Sequence, residues 1–81
     1  MQPRESQRTA EEIFGREIKS RRERLGLSQE ELGFRTGLHR TYISQIERGL
    51  KSPTLGVILK LARVIGRSAG QLMATVERQI R

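Results

Sequence analysis

Between Gln29 and Ile46 the chain has few ways to fold. Leu32 is apolar, Gly33 has no side chain, and Gly37 follows four residues later. Leu38, Ile43 and Ile46 are then apolar again. A residue as small as Gly33 lets a second helix cross closely over the first. Gly37 lets the connecting turn take a positive φ without a Cβ penalty. The later apolar residues anchor the second helix from behind. The segment therefore reads as two short helices packed across a tight turn. Such a hairpin alone is a weak signal; all these positions together in one small basic chain are a strong one.

The rest of the chain carries helical punctuation too. A first helix is expected from Thr9 or Ala10 to Leu25, with Thr9 and Glu12 as a capping box. Phe14, Ile18, Arg22 and Leu25 share its inward face, with Ile13 beside them. Gly26 closes it. The second helix starts at Ser28, its N-cap, with Glu30 and Glu31 in the first turn, and ends near Gly37. The third runs from His39 or Arg40 to Arg48 and stops at Gly49. Thr54 caps a fourth, with Leu55, Ile58, Leu59, Ala62 and Ile65 as its apolar stripe. Ser68 caps a fifth, in which Leu72, Val76 and Ile80 line up beside Ala69 and Met73. The expectation is an all-α fold of five short helices in one domain, residues 9–81, after a mobile arm over residues 1–8.

Composition removes whole classes of function. The 81 residues leave no room for a second domain. There is no Cys, a single His, and no Asp among the nine acids. A thiolate zinc site, a disulfide framework, a poly-His metal site and a Ser-His-Asp triad are therefore excluded, and no enzyme, metal or cofactor is expected. No apolar run approaches the ~20 residues of a membrane span, and the polar N-terminus does not read as a signal peptide, so a cytoplasmic protein is expected. The sixteen Lys and Arg give a net charge of +7. That excess lies in residues 13–67, with twelve bases to five acids, and not in a tail. A basic face on the folded part points to a polyanion, nucleic acid first.

The third helix places its charge where that partner would be met. At about 100° per residue, Ile46, Leu50 and His39 fall within roughly 60° of Ile43, on the inward side. Thr41, Ser44, Gln45 and Arg48 fall outward, and that face holds no acid. Gln can pair with adenine bidentately, Arg with guanine, and Ser or Thr with either. Arg40 stands at the helix start, within reach of a base or a phosphate. Tyr42 lies on a flank and can donate its hydroxyl to a phosphate. Glu47 is the exception, about 40° from Ile43 and so turned inward. Arg22 is also inward, so the two are expected to form a partly buried structural pair joining the first and third helices.

These residues resemble the Xre-type, phage-repressor-like helix-turn-helix regulators. Arg24-Leu25-Gly26-Leu27-Ser28-Gln29-Glu30-Glu31-Leu32 resembles the family's entry into its second helix. Thr41-Tyr42-Ile43-Ser44-Gln45-Ile46-Glu47-Arg48-Gly49 resembles its recognition helix. Ser52-Pro53-Thr54-Leu55 and Leu59-Lys60-Leu61-Ala62 resemble its fourth. The resemblance spans residues 13–76. It implies a lambda-repressor-like domain that binds double-stranded operator DNA, usually as a homodimer. It implies base contacts from Arg40, Thr41, Ser44, Gln45 and Arg48, and phosphate contacts from Gln29, Tyr42, Lys51 and Ser52. An Arg22–Glu47 pair is also part of the pattern. The Arg-Thr-Tyr-Ile-Ser run is similar to that of restriction–modification controller proteins. Gly33 stands where the family usually has Ala; the fit is kept, at a helix-propensity cost of up to about 1 kcal/mol. His39 stands where Ser, Asp or Thr often caps the third helix.

Two other functions compete with a sequence-reading regulator. An antitoxin or adaptor would use a protein partner, and the apolar Leu72, Met73, Val76 and Ile80 of residues 68–81 offer a surface for one. The same residues are the expected homodimer contact. A non-specific nucleic-acid or RNA binder would stack bases on exposed aromatics. Phe14, Phe34 and Tyr42 are the only aromatics, and Phe14 reads as buried, which disfavours that role.

Overall fold

The computed structural model of the chain describes residues 8–80; residues 1–7 of the expected arm, and Arg81, lie outside the described residues. Five helices follow in order: α1 (Ala10–Arg24), α2 (Gln29–Thr36), α3 (Arg40–Glu47), α4 (Leu55–Ile65) and α5 (Ala69–Gln79). No strand occurs among the described residues. The fold is the expected all-α one.

Each helix starts on a side chain that satisfies its orphan N–H groups. At α1 the Glu12 N–H donates to Thr9 Oγ1 and the Thr9 N–H to Glu12 Oε1, both at 3.0 Å. The same reciprocal box recurs at Ser28 with Glu31 and at Ser68 with Gln71. Helix α1 ends in a tight reversal. Gly26 N–H donates to the Glu23 carbonyl and Leu27 N–H to the Arg22 carbonyl. That reversal corrects one expectation. Leu25 is turned out and is 51% exposed, while Leu27 is turned in.

The core forms around Ile18, Leu32, Ile43, Ile46, Leu61 and Leu72, all fully buried. Fully burying a side chain of this size is worth about 1.5–3 kcal/mol. Helix α1 is the centre, packed on α3, α4 and α5, while α2 packs on α3 and α4.

Three further expectations shift by a rotation or a helix end. On α4 the inward meridian runs through Leu61, Ala62 and Ile65; Leu55 and Leu59 lie on its outer flank and are exposed. Apolar residues cover so much of this helix that spacing alone does not fix its rotation. Leu50 is exposed because α3 stops at Glu47, so the helical wheel no longer applies to it. On α5, Leu72 and Val76 are buried in the chain's own core. Of the four residues expected at a dimer contact, Met73 and Ile80 are the two left partly exposed.

Candidate nucleic-acid interface

Helix α3 is held in place from three sides. Its inner residues Ile43 and Ile46 are buried in the core. At its start, His39 is the N-cap, its Nδ1 accepting from the Thr41 N–H at 3.1 Å. The imidazole thus does the work expected of Ser, Asp or Thr there. At the crossing with α2, a Cβ on Gly33 would lie 2.5 Å from the Leu38 carbonyl oxygen. An Ala at this position therefore needs the turn backbone to move. The close crossing that Gly33 was expected to keep is present.

Helix α1 lies across the other end of α3. A Cβ on Gly15 would lie 2.2 Å from the Ile46 carbonyl oxygen and 2.7 Å from that of Glu47. Gly49, at φ +75°, sits against the first turn of α1, where a Cβ would lie 2.5 Å from Glu12 Cγ. Sequence reading passed over Gly15 and took Gly49 only as the stop of the third helix. The available signal was Gly15 itself, a glycine inside a strongly patterned helix, which costs about 1 kcal/mol unless something needs the space.

Glu47 and Arg22 meet at the same junction. Arg22 Nε donates to Glu47 Oε2 at 2.7 Å and Arg22 Nη2 to Oε1 at 3.0 Å. Arg22 Nη1 donates to the Leu27 carbonyl at 2.8 Å. The hydrogen bond to Glu47 raises the Arg22 pKa above its ordinary value, against the opposing effect of burial. Glu47 is the one acid of α3, and it is buried with an opposite charge upon it. The outer face of α3 therefore presents no negative charge.

That outer face carries the residues expected to read bases. Arg40, Thr41 and Arg48 are exposed, and Ser44 and Gln45 half-buried. Tyr42 packs its ring on the core and remains partly exposed. Lys51 and Ser52 are exposed on the loop that follows. Gln29 differs from expectation in one respect: its Nε2 already donates to Glu47 Oε1 at 3.0 Å. Among the described residues no cluster of His, Cys, Asp and Glu could hold a metal ion, and no helix is long and apolar enough to cross a membrane.

Residues 18–72 match the family model described as helix-turn-helix. The chain belongs to the Xre-like helix-turn-helix family. Members are DNA-binding transcriptional regulators of the repressor and controller type. The chain is 42% identical over 55 residues to the control protein C.BamHI of Bacillus amyloliquefaciens, a match spanning 67% of this chain and 68% of that one. Among solved structures it is similar to the restriction–modification controller protein C.AhdI of Aeromonas hydrophila. That match has a TM-score of 0.72 and 39% identity, covering 75% of this chain and 92% of the other. It is also similar to SinR, a master regulator for biofilm formation solved in complex with DNA. There the TM-score is 0.71 and the identity 32%, covering 75% of this chain and 98% of that one.

Proposed function

We propose that this helix-turn-helix protein is a sequence-specific transcriptional regulator that binds a near-palindromic operator as a homodimer. One observation carries the reading: the acid-free outer face of α3, whose single acid is buried against Arg22. Arg40, Thr41, Ser44, Gln45 and Arg48 enter the major groove and contact base edges. Gln29, Tyr42, Lys51 and Ser52 contact phosphates and set the register. The likeness to C.BamHI and C.AhdI supports a restriction–modification controller as its biological role.

The proposed dimer contact lies on α5. Leu72 and Val76 are already buried, so on α5 the second copy meets Met73 and Ile80. The antitoxin reading drew on the same four residues and is likewise left with Met73 and Ile80.

Selection of bound duplexes from a random DNA pool, at near-physiological salt, tests the proposal. An enriched inverted repeat with half-sites about one helical turn (~34 Å) apart is the expected result. Salt-sensitive binding to every sequence without enrichment overturns it, and leaves the charge as a non-specific feature.

A further inference from the structure

Glu47 holds one more donor than an ion pair requires. Arg22 gives it two hydrogen bonds, and Gln29 Nε2 gives a third at 3.0 Å. Gln29 is the first residue of α2 and Glu47 the last of α3. The bond therefore ties the start of one helix of the motif to the end of the other. An amide nitrogen carries two hydrogens. One is spent on Glu47, which leaves a second N–H on a side chain that is only half-buried.

At the start of α2 the Gln29 and Glu30 backbone N–H groups have no intrahelical partner, and the Gln29 amide adds a side-chain donor beside them. The α2 capping box uses the Ser28 N–H on Glu31 Oε1 at 2.8 Å and the Glu31 N–H on Ser28 Oγ at 3.0 Å. The bond from the Ser28 N–H keeps the Glu31 carboxyl below its ordinary pKa, so a fixed negative charge sits at this helix end. That charge offsets the dipole that would otherwise attract an anion. A side chain aimed in advance adds a donor whose position is already fixed. A free glutamine gives up its rotamer freedom on binding; one already held by a buried carboxylate gave it up on folding.

We infer that Glu47 is a positioning residue for a DNA-backbone contact: it fixes the Gln29 amide so that its remaining N–H meets one phosphate in register with α3. The inference rests on the DNA-binding reading above. It gives the buried carboxylate a role in recognition besides its role in joining α1 to α3.

The test uses the full chain and duplexes of the selected operator. Each duplex carries one neutral methylphosphonate in place of one phosphate. Wild type should lose about three- to tenfold in affinity at the phosphate that Gln29 meets, the range of one hydrogen bond. Gln29→Ala should abolish the penalty at that position and keep it at the others. Arg22→Met/Glu47→Met keeps Gln29 but removes its anchor, and leaves no buried charge unpaired. It should behave as Gln29→Ala does. Arg22→Met/Glu47→Gln returns an acceptor without the ion pair and should restore the penalty. Thermal melts report folding separately. A folded Met pair with the full penalty at that phosphate overturns the inference. So does a Gln29→Ala protein whose penalties are all unchanged. That single variant leaves the ion pair intact, so it can overturn the inference even if the Met pair does not fold. Failure of wild type to enrich any operator is a different result, and removes the DNA-binding reading itself.

Discussion

Arg22 and Glu47 lie 25 residues apart and make a buried two-bond pair, with Nε to Oε2 at 2.7 Å. The pair closes the junction of α1 with α3. Its stability value is asymmetric. A buried charge left alone costs far more than the pair gains over apolar residues of similar size. Glu47→Ala, which strands the Arg22 guanidinium, should destabilise the protein by about 3–5 kcal/mol. Arg22→Met/Glu47→Met should be within about 1–2 kcal/mol of wild type or more stable. Urea unfolding of the three proteins gives the comparison. A double variant as unstable as the single one would show that the pair itself, and not the orphaned charge, supplies the stability.

Gly15 gives a test in which two principles predict opposite signs. Helix propensity alone makes Gly15→Ala stabilising by up to about 1 kcal/mol. The new Cβ, however, would lie 2.2 Å from the Ile46 carbonyl oxygen, a backbone atom at the end of α3. Forcing the helices apart costs about 1–3 kcal/mol. Close contact should win, and the variant should melt below wild type. A higher melting temperature would mean that α1 and α3 can separate at little cost.

The contrast between these two sites shows what a sequence displays. The Arg22–Glu47 pair was legible because two opposite charges stood on inward faces, where neither is stable alone. The caps and turns were legible because Thr9, Gly26, Ser28, Gly37 and Thr54 each answer a local demand of the backbone. Gly15, and the packing of Gly49 on α1, were not legible, since that need arises from another helix far along the chain. The rotation of α4 was hidden for a related reason. Leu55, Ile58, Leu59, Leu61, Ala62 and Ile65 are all apolar, so which of them face α1 depends on how α2 and α5 bracket the helix. The bond from Gln29 to Glu47 depends on both the rotation of α3 and the reversal before α2, and neither appears in a pattern.

Glu31 makes part of the stability depend on pH. Its carboxyl accepts the Ser28 N–H, and this holds its folded pKa below the ordinary 4.5. A depressed carboxyl favours the folded state above the unfolded value, and that contribution is lost as pH falls through the folded value. Glu31→Gln keeps an acceptor for Ser28 but has no charge to titrate. At pH 7 wild type should be the more stable of the two. The gap should narrow as pH drops below about 4.5. Urea midpoints at several pH values between 7 and 3 provide the check. A gap that does not change with pH would assign the effect to the shape of the cap and not to its charge.

Arg40 and Gln45 test which face of α3 reads DNA. Both side chains are accessible, and neither makes a side-chain hydrogen bond within the described residues that would tie it down. If they contact base edges, Arg40→Ala and Gln45→Ala should each cost about 1–3 kcal/mol on the selected operator and much less on an operator changed at the matching base pair. Lys51→Ala should behave differently. A phosphate contact carries no sequence information, so its loss weakens all duplexes alike and lowers the salt slope of log K by about one. The two behaviours separate within one set of titrations over operator variants and salt. Uniform weakening by all three substitutions would make Arg40 and Gln45 backbone contacts. The reading surface would then have to be sought among Thr41, Ser44 and Arg48.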